Sequence, residues 1–308
     1  MSLRALARAA RALRKVAVQV CWTQWSSIST AAPAERPARA IVDPEALVLA
    51  SMVLAEYEPR LWRVCRIWAR SGSRLLSVQR IKNLNKDAIA VAEERISEFA
   101  WLAAAVGNDK RWQKLAVSEP PRVSRREPTA TPMVNQPAAL MFRLRLGMGV
   151  GIKADVLSFL LGRVGGHATI QEIAQATHYY GRAVRRAVEE LAAAGFVQSR
   201  STAPASFRVD KSKWHHVLDF DPDDPPEWRP WARVYGFVTA VSRWIKSELP
   251  ESETVVASEA RDLMTTHSEA LESAGISRIP ADRYPGAQLL NPFQDALEEY
   301  AQYLNAVV

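Results

Sequence analysis

The spacing of apolar side chains changes character along this chain, and each change marks a segment. Residues 1–20 place Leu3, Leu6, Ala10, Leu13, Ala17 and Val20 at helical intervals, with Arg4, Arg8, Arg11 and Lys15 opposite. This predicts a basic amphipathic helix. Ala, Ser and Pro then dominate from Thr23 to Val42, predicting a linker that completes a segment 1–42. Asp43-Pro44-Glu45 is a helix start: Asp caps free amides, Pro at the first position forfeits no hydrogen bond, and Glu faces the positive end of the dipole. Helices are expected over 44–57, 60–71, 77–84, 87–106 and 109–116, forming an all-helical domain 43–116 around Trp62, Ile67, Trp68, Phe99, Trp101 and Trp112. Five prolines (120, 121, 128, 132 and 137) mark residues 117–138 as a second linker.

Residues 139–214 carry a denser pattern. Lys153 to Gly162 predicts a helix burying Val156, Leu157, Phe159 and Leu160, stopped by Gly165-Gly166. Thr169-Ile-Gln-Glu172 is a capping-box spacing, so a short helix follows to Ala176. After a turn over Thr177–Tyr180, a third helix is expected at 181–194. Its 100° step gathers Arg182, Arg185, Arg186 and Glu189 on one side and Val184, Ala187, Val188 and Leu191 on the other. Phe196–Arg200 and Ser206–Val209 then alternate with period two around a turn, predicting a hairpin with basic tips.

In that order, Ala168–Thr177, Arg182–Leu191 and Ala194-Gly-Phe-Val197 resemble the helix-turn-helix and wing of MarR-like and related bacterial winged-helix transcriptional regulators. The resemblance covers about 75 residues. It implies a third helix in the major groove and a wing on phosphate or minor groove. Carried onto this chain, it makes Arg182, Arg185 and Arg186 candidate base or phosphate contacts, and Arg200 and Arg208 candidate wing contacts. Tyr179, Tyr180 and Thr169 join the DNA-contacting candidates, with packing as the other reading of the two tyrosines. His178 stands where the turn often has Gly, and Tyr180 where a Ser or Thr cap is usual.

Beyond Trp214, Asp219–Glu227 is an acidic, Pro-broken turn, and a helix over 227–249 is expected. It presents Trp228, Trp231, Tyr235, Val238 and Ile245 in a stripe that Phe237, Val241 and Trp244 widen. Two more helices, 253–274 and 292–306, complete an acidic region 215–308. So broad an apolar arc needs more than one neighbour. Trp228, Trp231, Tyr235, Val238 and Trp244 are therefore candidate homodimer contacts, the alternative being packing on the N-terminal helices.

Charge sharpens this division. Basic against acidic side chains number 22 to 12 in residues 1–139, 11 to 5 in 140–214 and 7 to 16 in 215–308, within a net +7. A basic body suits a polyanion. The N-terminal helix then has three readings: docked on the body or on DNA, lying on a membrane surface, or acting as an organellar presequence. Cys21 and Cys65 have no metal or disulfide spacing, the five histidines form no ligand set, and no apolar run is long enough to span a membrane. Gly147-Met-Gly-Val-Gly151 matches neither a Walker A nor a dinucleotide motif. The expected fold is thus mainly α, a winged helix-turn-helix flanked by helical regions. The expected protein is a cytoplasmic double-stranded-DNA-binding regulator rather than an enzyme, with no cofactor or metal. The alternative is an antitoxin-like interaction protein that binds a partner protein through its helices and autoregulates through the winged helix.

Overall fold

Fourteen α-helices and three short strands account for most of the computed structural model, which describes residues 3–32, 36–117, 129–200, 203–221, 223–246, 252–277 and 283–307. They pack into two adjoining cores. The first contains α1 (Leu3–Ile28), α2 (Pro44–Leu54), α3 (Pro59–Ser71), α4 (Val78–Asp87) and α5 (Glu93–Trp101). The same core takes in α11 (Trp231–Trp244), α12 (Glu253–Thr266), α13 (Ser268–Ser273) and α14 (Leu290–Ala306). Between these two sets in sequence, α6 (Leu140–Met148), α7 (Ile152–Gly162), α8 (Ile170–Thr177), α9 (Gly181–Ala193) and α10 (Lys211–Leu218) build the second core. A three-stranded antiparallel sheet completes it: β1 (Ala168–Thr169), β2 (Gln198–Arg200) and β3 (Ser206–Arg208), in the order β1-β3-β2.

The basic N-terminal helix is docked on the body. Leu6, Ala10, Leu13, Ala17 and Val20 are buried, and α1 lies chiefly along α14, while Arg8, Arg11 and Lys15 face solvent. It also runs eight residues past the expected end at 20. The predicted linker from Thr23 is therefore corrected: Trp22, Thr23, Gln24 and Trp25 are buried in its last turns, and the Trp25 indole N–H donates to Ser51 Oγ at 2.9 Å. Composition misled here because Ser and Thr in a helix can bond back to carbonyls, as Ser27 does to Thr23. The helix expected at 87–106 starts only at Glu93 and ends in a π-helical stretch, Leu102–Val106. Helix 109–116 is a 3₁₀ run, Lys110–Leu115. Of the linker 117–138, residues 118–128 lie outside the described residues, as do Ser201 and Thr202 of the hairpin turn.

The aromatic stripe of α11 receives its correction from burial. Trp231, Tyr235 and Val238 are fully enclosed by this chain's own α1 and α2. The Tyr235 hydroxyl donates to Gln24 Oε1 at 2.9 Å, and the Trp231 indole donates to the Ile41 carbonyl at 2.8 Å. Trp244 meets Phe293 edge-on, and Trp228 meets Phe159. A homodimer through Trp231, Tyr235 and Val238 would require opening the core, whereas Trp228 and Trp244 are only partly buried. Periodicity exposes an apolar arc but not its owner, and the neighbour proved to lie about 200 residues earlier.

Candidate nucleic-acid interface

Two clusters of arginines dominate the chemistry of this chain, one on a surface helix and one wholly buried. The surface cluster sits on α9. Val184, Ala187, Val188 and Leu191 are buried, so the 100° step leaves Arg182, Arg185 and Arg186 on the solvent side. The side chain of Arg186 is 84% exposed and pairs with Glu190 at 2.9 Å, one turn on. Glu190 in turn holds Lys153 at 2.7 Å. Arg182 and Arg185 have no ionic partner among the described residues.

The helix before it is set by the anticipated capping box. The Glu172 amide donates to Thr169 Oγ1 at 3.2 Å and the Thr169 amide to Glu172 Oε2 at 2.7 Å. Thr169 thus spends its hydroxyl on the cap, and on Glu172 Oε2, instead of presenting it outward. Partners among them the Arg163 guanidinium hold the Glu172 carboxyl below the usual range, the Thr169 amide foremost. Between α8 and α9, His178 adopts the left-handed conformation (φ 55°) that the sequence position demands and that Gly ordinarily fills. On the hairpin, Arg208 Nε donates to Gln198 Oε1 at 2.7 Å, and Arg200 is exposed opposite Ser206.

The two tyrosines part company. Tyr180 is 72% exposed at the start of α9. Tyr179 turns inward, its hydroxyl donating to Asp155 Oδ2 at 2.9 Å and lying 3.3 Å from Ser77 Oγ. Its assignment as a DNA contact is therefore corrected: it is a packing residue, and burial pushes its phenol well above the ordinary value.

Tyr179 leads into the buried cluster, which sequence reasoning missed. Arg80 on α4 and Arg145 on α6 are fully enclosed with Asp43, Glu45 and Asp155. Arg145 forks onto Asp155 through Nε and Nη2 (2.8 and 3.0 Å) and onto Glu45 through Nη1 and Nη2 (2.7 and 3.0 Å). Arg80 binds Asp43 at 2.6 Å, pairs closely with Glu45, and donates Nε to the Thr177 carbonyl at 3.0 Å. Burial alone would raise the Asp43 carboxyl, but the Arg80 charge and hydrogen bonds hold it below the usual carboxylate range. The network spans both cores, since Asp43, Glu45 and Arg80 belong to the helical body while Arg145 and Asp155 belong to α6 and α7. Asn83 on α4 adds a bond from Nδ2 to the His178 carbonyl at 2.8 Å. The signal available in sequence was a pair of oppositely charged residues, Arg145 and Asp155, set among the apolar positions of two largely apolar helices; buried charges of that kind come paired.

Among the described residues, no cluster of His, Cys, Asp and Glu could hold a metal, and no helix is long and apolar enough to cross a membrane. Compared with known protein families, curated proteins and solved structures, the chain matches none.

Proposed function

We propose that residues 139–214 form a winged helix that binds double-stranded DNA, with α9 as the reading helix and the β2–β3 hairpin as the wing, in a transcriptional regulator. One observation carries the reading. The helix that follows the capped α8 buries one face in a small core and offers three outward guanidinium groups on the other, beside a hairpin whose exposed Arg200 and Arg208 extend the same chemistry. Strand order β1-β3-β2 supports it, because β1 directly before α8 ties the hairpin to the helix-turn-helix element. A planar guanidinium donates two bonds to guanine or to phosphate, which fits such a face.

The test exchanges Arg182, Arg185 and Arg186 for Glu in the full chain and measures binding to a random-site-selected duplex. Binding should collapse while circular dichroism and melting stay as in the parent. Single changes to Ala should cost about 1–3 kcal/mol at the selected site for a base-reading residue, or weaken all duplexes alike and flatten the salt slope by about one for a phosphate contact. Unchanged affinity and salt dependence in a folded triple variant would overturn the proposal.

A further inference from the structure

A groove of about 930 Å³ opens beside the proposed wing, between the end of α6, the α9–β2 turn and α10. Its floor is apolar, built from Leu144, Trp214 and Leu218, and the Phe196 ring meets Trp214 edge-on at 5.5 Å. The lip is apolar too, and uncovered: Val217 is 75% exposed, Leu146 60% and Phe196 42%. Large apolar side chains left in water in this way, around a concave surface of this size, are the usual makings of a small-molecule site.

Charge decides what kind of molecule. Three cations line the groove, Arg143, Lys153 and Lys213, against a single acid, Asp210. Asp210 is already engaged, accepting from the Ser212 amide and hydroxyl at the start of α10. Arg143 spends its terminal nitrogens on the main-chain carbonyls of Leu218 and Gln136 and, among the described residues, leaves Nε buried with no hydrogen-bond partner and has no carboxylate paired to it. Lys213 is exposed and in no salt bridge among the described residues; the Asp210 carboxyl, held down chiefly by its Ser212 hydrogen bonds, also feels the Lys213 charge. Among the described residues Lys153 is held by Glu190 alone, both side chains being nearly half exposed.

We propose that this groove binds an organic anion: an apolar, preferably aromatic body lying on Trp214 and Phe196, with one carboxylate or sulfonate head taken by Lys213 and Lys153. The head group competes with Glu190 for Lys153. Since Glu190 also holds Arg186, occupancy alters the pairing of an arginine on the proposed reading helix. That last consequence rests on the DNA-binding reading; the ligand site itself does not.

The test titrates the full chain with 1-anilinonaphthalene-8-sulfonate and with its neutral relative N-phenyl-1-naphthylamine, following fluorescence without DNA. One saturable site is expected, with the neutral probe bound about tenfold more weakly. Lys213→Glu should weaken the sulfonate about tenfold and leave the neutral probe alone, while Val217→Asp at the lip should weaken both. Glu190→Gln, which removes the competing carboxylate, should tighten sulfonate binding about threefold, a gain that misfolding does not mimic. Equal affinity for the two probes, or sulfonate affinity unmoved by both Lys213→Glu and Glu190→Gln, would overturn the proposal. Because no duplex is present, such a failure is distinct from failure of α9 to bind DNA.

Discussion

The two arginine clusters use the same side chain to opposite ends. Arg80 and Arg145 are fully buried, and nearly every donor they own is matched to Asp43, Glu45, Asp155 or a main-chain carbonyl. Taking such ions out of water costs several kcal/mol each, a cost offset only because the hydrogen bonding is almost complete. Arg182 and Arg185 keep their hydration and have no ionic partner among the described residues. A satisfied guanidinium locks two cores in one arrangement, whereas an unsatisfied one on a rigid helix is available to an outside anion. Residue type alone does not separate the two roles; the face of the helix does.

Removal of one buried partner should have the largest effect on stability. Arg145→Met leaves Glu45 and Asp155 enclosed with less compensation, and unfolding in urea should show a loss of about 3–5 kcal/mol. A loss below about 1 kcal/mol would mean that water reaches the cluster and that the contrast between the two regions is wrong.

Acid titration sharpens the comparison at the edge of the buried cluster. His178 is held neutral by burial and by the Arg80 charge beside it, with Asp43 and Asp87 opposing and Arg233 assisting, so that its pKa falls from 6.5 to about 4. A depressed histidine binds its proton more readily in the unfolded chain, so stability is full above pH 6.5 and declines as pH falls toward 4. The loss over that window should be roughly 3 kcal/mol. His178→Asn, which also tolerates the left-handed backbone, should remove the slope. Asp43, whose carboxyl is held below 3.8, costs stability in the same direction on acidification, but only below this window. A parent protein whose melting temperature is flat between pH 7 and 4.5 would show that His178 is solvated.

The smallest effect is expected on the surface. Replacing Arg182 and Arg185 together by Ala should move the melting temperature by no more than about 2 °C, because solvated side chains away from caps and cores contribute little. A large drop would make the α9 face structural and would remove its distinction from the buried pair.

Much of residues 139–214 is legible in the sequence. The capping box at Thr169, the turn at His178, the two faces of α9 and the hairpin each follow from contacts within a few residues. β1 and α10 were not anticipated: two residues carry no alternation, and Lys211–Leu218 shares its apolar content between the groove and the core. Sequence does not decide Tyr179, because its hydrophobic ring and polar tip suit either a core edge or a phosphate.

What this sequence determined by itself is local: helix starts such as Asp43-Pro44, caps, the two faces of α9 and the separation of charge along the chain. These depend on periodicity and on hydrogen bonds between near neighbours, which the order of residues specifies directly. Only the tertiary structure decided ownership. It assigned the α11 stripe to α1 and α2 instead of a second copy, and turned Thr23–Ile28 from linker into helix. It also turned Asp43 from a cap alone into a cap that binds Arg80 as well. Those outcomes depend on contacts between segments as many as 211 positions apart, as between Gln24 and Tyr235. Apolar burial is non-directional, so a pattern states that a face must be covered and leaves the covering partner to the packing of the whole chain.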